Sequence, residues 1–161
     1  MKNKGQWRPS KFVYKNNKLI ASRDAKELSI SSRLVGDIVA SYYDRYLKQH
    51  AKGLLLDLGC GKVPLYHAYV DFITDCICVD WKNTVHKNPY LDLECDLNLD
   101  IPLASAQFQT ILLSDVLEHI REPEHLWSEI SRLLHVGGKV ILNVPFFYKL
   151  HETPFDYYRY T

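Results

Sequence analysis

Three absences bound what this chain does. It has no net charge of consequence: 20 Lys and Arg against 19 Asp and Glu leave +1 over 161 residues. No field of one sign is therefore available to draw it to nucleic acid or to an anionic membrane. It has no apolar run near the ~18 residues of a membrane-spanning helix, and its start, Met-Lys-Asn-Lys-Gly, lacks a signal-peptide core. Its cysteines are not paired for chemistry: Cys60, Cys76, Cys78 and Cys95 form no Cys-x-x-Cys and match no histidine spacing, so neither a zinc site nor a disulfide framework is expected. The expected partner is a small molecule, with no nucleic acid, no membrane and no metal, in a reducing cytoplasm. Internal repeats and low-complexity segments are also missing, which leaves one domain over residues 1–161.

What is present suits a soluble globular domain: 47% apolar and 24% charged residues, and enough length to bury a real core. Lys2, Lys4, Arg8, Lys11, Lys15 and Lys18 make the beginning locally basic. That reads as a solvated, partly mobile tail or, alternatively, as a phosphate-binding arm. Residues 1–28 form an irregular or short-stranded leader with scattered aromatics (Trp7, Phe12, Tyr14). Residues 29–52 hold a helix capped near Ser31 or Ser32. Leu34, Val35, Ile38, Val39, Tyr42, Tyr43, Tyr46 and Leu47 recur along it at helical spacing and predict one apolar stripe.

From residue 53 onward strands alternate with helices. Leu54-Leu55-Leu56-Asp57-Leu58 has the composition of a strand buried on both faces. A helix is expected over 64–72, with Pro64 in its first turn. Further strands are expected at 76–80, 91–95, 110–114 and 140–144. A second clear helix opens at Pro123 and carries Leu126, Ile130, Leu133 and Leu134 on one face, with Gly137-Gly138 to stop it. Such alternation predicts a Rossmann-like, doubly wound and mainly parallel α/β sheet of five strands. Three of the four cysteines fall in or beside these strands, where a free thiol packs as a small apolar residue.

The most informative stretch is Asp57-Leu58-Gly59-Cys60-Gly61, where the leucine strand ends in an acid and two glycines. The glycines permit a tight turn and close approach of a ligand to bare backbone, and Asp57 is placed to brace that turn. A dinucleotide fingerprint would need its third glycine at Pro64. A P-loop would need Ser or Thr after Gly61-Lys62, and Val63 stands there. An ordinary strand-to-helix turn of some other α/β protein stays open. In a doubly wound sheet the ligand lies beyond the carboxyl ends of the strands. This picks out Asp80 and Trp81 after the second strand, with Asp80 21 residues beyond Gly59. Asp96 and Leu97 follow the third strand, where Asp92, Glu94 and Asp100 crowd the same segment and leave the register open. Ser114 and Val116 follow the fourth.

The segment 54–61 resembles the opening of class I S-adenosylmethionine (SAM) methyltransferases. Ser114-Asp115-Val116-Leu117-Glu118-His119-Ile120 resembles the stretch after strand four in their type 11 branch. His151-Glu152-Thr153-Pro154-Phe155-Asp156-Tyr157-Tyr158-Arg159 resembles a His-x-x-Pro-x-Asp-Tyr-x-Arg continuation in the same branch. The third glycine usual there is replaced by Val63. The resemblance covers residues ~30–161 and implies SAM as cofactor, with S-adenosylhomocysteine as product. Asp57, Gly59, Cys60 and Gly61 would form the cofactor turn and Asp80 would accept the ribose hydroxyls, with Trp81 beside it. Asp96 would take the adenine amino group with the Leu97 amide facing the ring, and Ser114 to Leu117 would flank the methionine part, with Ser114 and Val116 the cofactor-binding candidates. The family sheet has seven strands. The last two have no counterpart here, so self-association through the uncovered edge of the fifth strand is expected, unless the tail from Phe146 folds back over it.

The implied reaction is methyl transfer to an oxygen or nitrogen of a small molecule, such as a sugar or natural-product intermediate. The alternative is a catalytically inactive SAM-binding or assembly module. Histidine is the side chain that changes charge near neutral pH. His119 and His151 are accordingly the candidate proton acceptors, with loop capping as the other reading of His119. Glu118 is expected to make structural hydrogen bonds. Tyr148, Asp156 and Arg159 suit a hydroxylated or anionic substrate, or else an Asp156–Arg159 pair simply holds a Tyr-rich packing segment.

Overall fold

The computed structural model describes residues 1–82, 88–146, 148 and 150–160. Phe147 and Thr161 of the tail lie outside them. The leader is not a mobile tail. It folds into an antiparallel hairpin of β1 (Phe12–Lys15) and β2 (Lys18–Ala21). Asn16 and Asn17 occupy the two-residue turn, both at positive φ. Hairpin turns favour that conformation, and asparagine tolerates it. The chain before the hairpin is docked. The Met1 ammonium donates to the Cys76 carbonyl and sits 3.0 Å from Asp92. The Trp7 indole donates to the Val63 carbonyl at 3.0 Å. Lys4 pairs with Asp75 and Lys11 with Asp115, so two of the expected basic-tail charges are neutralised within the fold.

Next come α1 (Arg33–His50), β3 (Leu54–Leu58), α2 (Tyr66–Tyr69), β4 (Asp75–Asp80), β5 (Leu93–Glu94), β6 (Phe108–Ser114), α3 (Pro123–Leu133) and β7 (Leu134–Asn143). The five later strands form one sheet in the order β5-β4-β3-β6-β7, with every pair parallel. Neighbouring residues of β3 serve opposite faces, as the two-residue period of a strand requires. Leu55 joins a core with Phe12, Tyr43, Leu47, Tyr69, Cys76 and Cys78 under α1. Leu56 and Leu58 join Val79, Ile111, Leu113, Leu126, Ile130 and Leu133 under α3. Among the described residues no helix is long and apolar enough to cross a membrane.

Three local expectations are corrected. The buried face of α1 is Gly36, Ala40, Tyr43 and Leu47, while Leu34 is 73% and Ile38 51% exposed. The helix lies so close to the hairpin that a Cβ on Gly36 would come within 2.9 Å of the Ala21 Cβ. Small residues therefore take the inner face and much of the large apolar stripe turns outward. The helix expected over 64–72 shrinks to α2 and a 3₁₀ turn at Val70–Phe72. Gly137-Gly138 do not stop α3, which ends at Leu133. They lie inside β7 where its register with β6 shifts, and Gly137 has φ +78°.

Candidate functional site

The strand order reverses between β3 and β6, and the cleft opens beyond the carboxyl ends there, as expected for a doubly wound sheet. Its volume is about 1010 Å³, room for a nucleoside cofactor together with a small acceptor. At its floor is the turn after β3. The amides of Gly59 and Cys60 donate to the Val79 carbonyl at 2.8 and 3.1 Å. Gly59 has φ +66°, and a Cβ there would come within 2.4 Å of Val116 Cγ2. Glycine is thus required both by the backbone and by the neighbour. Val63, in the place of the family's third glycine, is buried at φ +51°, a costly conformation for a β-branched residue.

Asp80, not Asp57, braces this turn. Asp80 Oδ2 accepts the Gly61 amide at 2.9 Å and Oδ1 accepts the Trp81 amide at 2.8 Å. Asp57 points beneath the turn into the α1-side core and accepts the Tyr69 hydroxyl at 3.2 Å. Burial there pushes its carboxyl up to about 8. The crowded acids after β4 are sorted by tertiary contacts. Asp92 faces the Met1 ammonium, Glu94 pairs in β5, and Asp100 lies 3.4 Å from His125. Only Asp96 of the four lines the cleft, beside Leu97, with Oδ1 accepting both the amide and the side chain of Asn98.

The donor set fits a SAM-like nucleoside. A carboxylate only accepts hydrogen bonds and so suits a pair of ribose hydroxyls. The glycine turn opposite offers backbone that a side chain would fill. Cys60, Ser114 and Val116 also line the cleft, and Ser114 Oγ accepts the Tyr43 hydroxyl at 2.7 Å.

The tail closes the other end. It runs over the loop after β6, and the Tyr157 and Tyr158 amides donate to the Glu118 carbonyl at 2.9 and 3.3 Å. The Phe155 ring meets Trp81 edge-on at 5.0 Å. Among the described residues the tail adds no strand to β7. It brings His151 to His119, with Nε2 to Nε2 3.2 Å. His119 Nδ1 is 2.8 Å from the Phe155 carbonyl. A carbonyl can only accept, so Nδ1 carries a proton, which in the neutral ring leaves Nε2 as the acceptor nitrogen, facing His151.

Asp156 and Arg159 do not line the cleft. The buried Asp156 carboxylate holds the Arg159 guanidinium and accepts the His151 amide at 2.8 Å. The guanidinium keeps that carboxyl well below the usual carboxylate range. The pair therefore positions His151, and only Tyr148 of the three expected substrate residues faces the cleft. Tyr148 also lies 3.2 Å from the hydroxyl of Ser32, the N-cap residue of α1, whose side chain makes no capping bond.

Glu118 departs most from expectation. Its side chain is fully buried and neither carboxylate oxygen has a hydrogen-bond partner among the described residues. Burial, together with the charge of Asp115, pushes its carboxyl up to about 7. Sequence reasoning also passed over Phe155 and Lys11. Their roles depend on contacts across the fold, which local spacing does not carry.

Comparison with known proteins agrees with this geometry. No curated protein matches the chain. Among solved structures, a candidate SAM-dependent methyltransferase from Methanococcus maripaludis is 16% identical, with 83% of this chain aligned to 68% of that one at a TM-score of 0.55. A candidate methyltransferase from Bacillus halodurans is 18% identical over 62% of this chain and 49% of that one, TM-score 0.51. The [4+2]-cyclase SpnF is 20% identical over 66% and 45%, TM-score 0.50. This chain therefore spans about half the length of several proteins it matches. Identities this low carry the fold, and SpnF shows that the fold hosts more than one chemistry. The family model Methyltransf_11, described as a methyltransferase domain, matches residues 56–142, from β3 into β7 and more than half of the chain. The chain belongs to the type 11 methyltransferase-domain family of class I.

Proposed function

We propose that this chain binds SAM at the glycine turn and transfers its methyl group to an oxygen or nitrogen of a small molecule, a sugar or natural-product intermediate by class. The observation that carries the reading is Asp80. It closes β4 with its carboxylate held against the Gly61 amide, across the cleft floor from a glycine whose Cβ would collide with Val116. The bound cofactor supplies a methyl already activated on a sulfonium, so the protein's work is alignment and proton removal. Asp80 accepts the ribose hydroxyls and Gly59 to Gly61 give the cofactor bare backbone. Asp96 and the Leu97 amide meet the adenine, and Ser114 to Val116 flank the methionine part. Tyr148 borders the acceptor, whose proton passes to the Nε2 lone pair of His119 or to His151.

The free edge of β7, which pairs only with β6 among the described residues, is on the same footing proposed to join a second copy. Calorimetric titration with SAM, S-adenosylhomocysteine and NAD tests the central reading. Micromolar binding of the first two and none of NAD is expected, whereas binding of NAD alone would overturn it.

A further inference from the structure

The tail creates a cluster that no segment of the sequence holds by itself. His119 and His151 present Nε2 to Nε2 at 3.2 Å, and Glu118 Oε1 lies 3.8 Å from His119 Nε2. One ligand atom from each of the three falls within 4.8 Å of the others. The Phe155 carbonyl accepts from His119 Nδ1 at 2.8 Å. His151 Nδ1 is buried without a hydrogen-bond partner among the described residues, with Asp156 Oδ2 3.2 Å away. With both rings neutral and protonated on Nδ1, the two Nε2 lone pairs face each other, an arrangement that one shared cation satisfies. Beside them stands a fully buried carboxylate whose oxygens have no hydrogen-bond partner among the described residues, an arrangement that costs free energy unless a proton or a cation joins it.

We propose that Glu118, His119 and His151 form a binding site for one divalent first-row transition-metal ion, with open coordination positions toward the cleft. Two imidazoles and one carboxylate are a known catalytic donor set for zinc and non-haem iron. The spacing agrees: metal–nitrogen bonds of about 2.05 Å at a tetrahedral angle place two nitrogens about 3.3 Å apart. The outer contact of His119 agrees as well, since its other nitrogen meets the Phe155 carbonyl, and the Asp156 carboxylate lies 3.2 Å from the other nitrogen of His151. The site stands on its own geometry. Its use in catalysis rests on the methyl-transfer reading. A cation held here occupies the lone pairs otherwise available to accept a proton and performs that task differently. It would supply Lewis-acid polarisation of an acceptor hydroxyl at an open position, whose proton would pass to water.

The test uses the full chain, stripped with chelator, kept reduced, and titrated with Co²⁺ under visible absorption. Ligand-field bands saturating at one Co²⁺ per chain are expected. Glu118→Gln, His119→Gln and His151→Gln should each weaken binding at least tenfold. Asp156→Asn, which leaves all three ligands in place, should weaken it about tenfold. Saturating Co²⁺ should also raise the melting temperature of the parent. That measurement and the exposed-tail variant His151→Gln decide the matter if Glu118→Gln does not fold. The proposal is overturned by the absence of a saturable band in the parent, or by unchanged affinity in the ligand variants. A thiolate charge-transfer band would overturn it too, because it would place the ion on the cysteines. SAM titration of the same samples is read separately. A chain that binds Co²⁺ but not SAM refutes methyl transfer alone, and one that binds SAM but not Co²⁺ refutes the metal site alone.

Discussion

Asp80 Oδ2 accepts the amide proton of Gly61 at 2.9 Å, joining the end of β4 to the turn after β3 across nineteen positions of sequence. One carboxylate thereby shapes the glycine turn and faces the cleft. Replacing Asp80 with alanine should weaken SAM binding by about 1.5–3 kcal/mol, the range for hydrogen bonds to a charged group. Calorimetry on the parent and the variant checks this, and equal affinities would remove Asp80 from the cofactor site.

Gly59→Ala should disable the same turn by crowding. Its Cβ would sit 2.4 Å from Val116 Cγ2 on a backbone with φ +66°. Strain of about 1–3 kcal/mol is expected, read as a lowered denaturant midpoint together with weakened SAM binding. Trimming the neighbour with Val116→Ala in the double variant should recover part of the loss, because it removes the collision and leaves only the backbone cost.

His119→Gln and His151→Gln should each lower turnover about 10²–10⁴-fold, the usual span for a lost acid–base group, while SAM affinity stays near the parent's. Their ring nitrogens meet each other, the Phe155 carbonyl and the Asp156 carboxylate, so cofactor binding and chemistry should separate. Full turnover in both variants would assign proton removal elsewhere.

Asp57 gives the fold a pH dependence. Its carboxyl is raised to about 8 by burial, above an unfolded value of about 3.9, so the folded state holds its proton more tightly. The stabilisation is complete below pH ~4 and is lost as pH rises toward ~8, at up to about 1.4 kcal/mol per pH unit. Asp57→Asn should flatten this slope. Urea melts of parent and variant at several pH values give the difference, and parallel curves would show that Asp57 does not titrate in the fold.

The outer edge of β7, which pairs with no other strand among the described residues, should make the chain self-associate. Val140, Ile141 and Leu142 lie on that edge strand, Leu142 is exposed, and unpaired edge strands pair with other chains. A two-fold contact between equivalent edges is the simplest closed arrangement. Light scattering over a range of concentrations should give a mass near twice 18.8 kDa. A constant monomer mass would refute the pairing.

The five-stranded parallel α/β fold and the Asp-x-Gly-x-Gly turn were legible in the sequence because both are written locally. A buried parallel strand is a short apolar run, and a ligand-bearing turn follows its carboxyl end. Asp80 could be placed for the same reason, being the acid that ends an apolar strand. Tertiary packing decided what local pattern does not encode. Gly36 against Ala21 set which face of α1 is buried, and the Met1 ammonium distinguished Asp92 from Asp96. The tail, crossing the loop after β6, drew Asp156 and Arg159 away from the cleft to hold His151. It also set His151 against His119 over the buried Glu118. The pairings of Met1 with Asp92 and of His119 with His151 join residues more than 30 positions apart, and their meeting depends on how the sheet's faces are covered and not on any spacing along the chain.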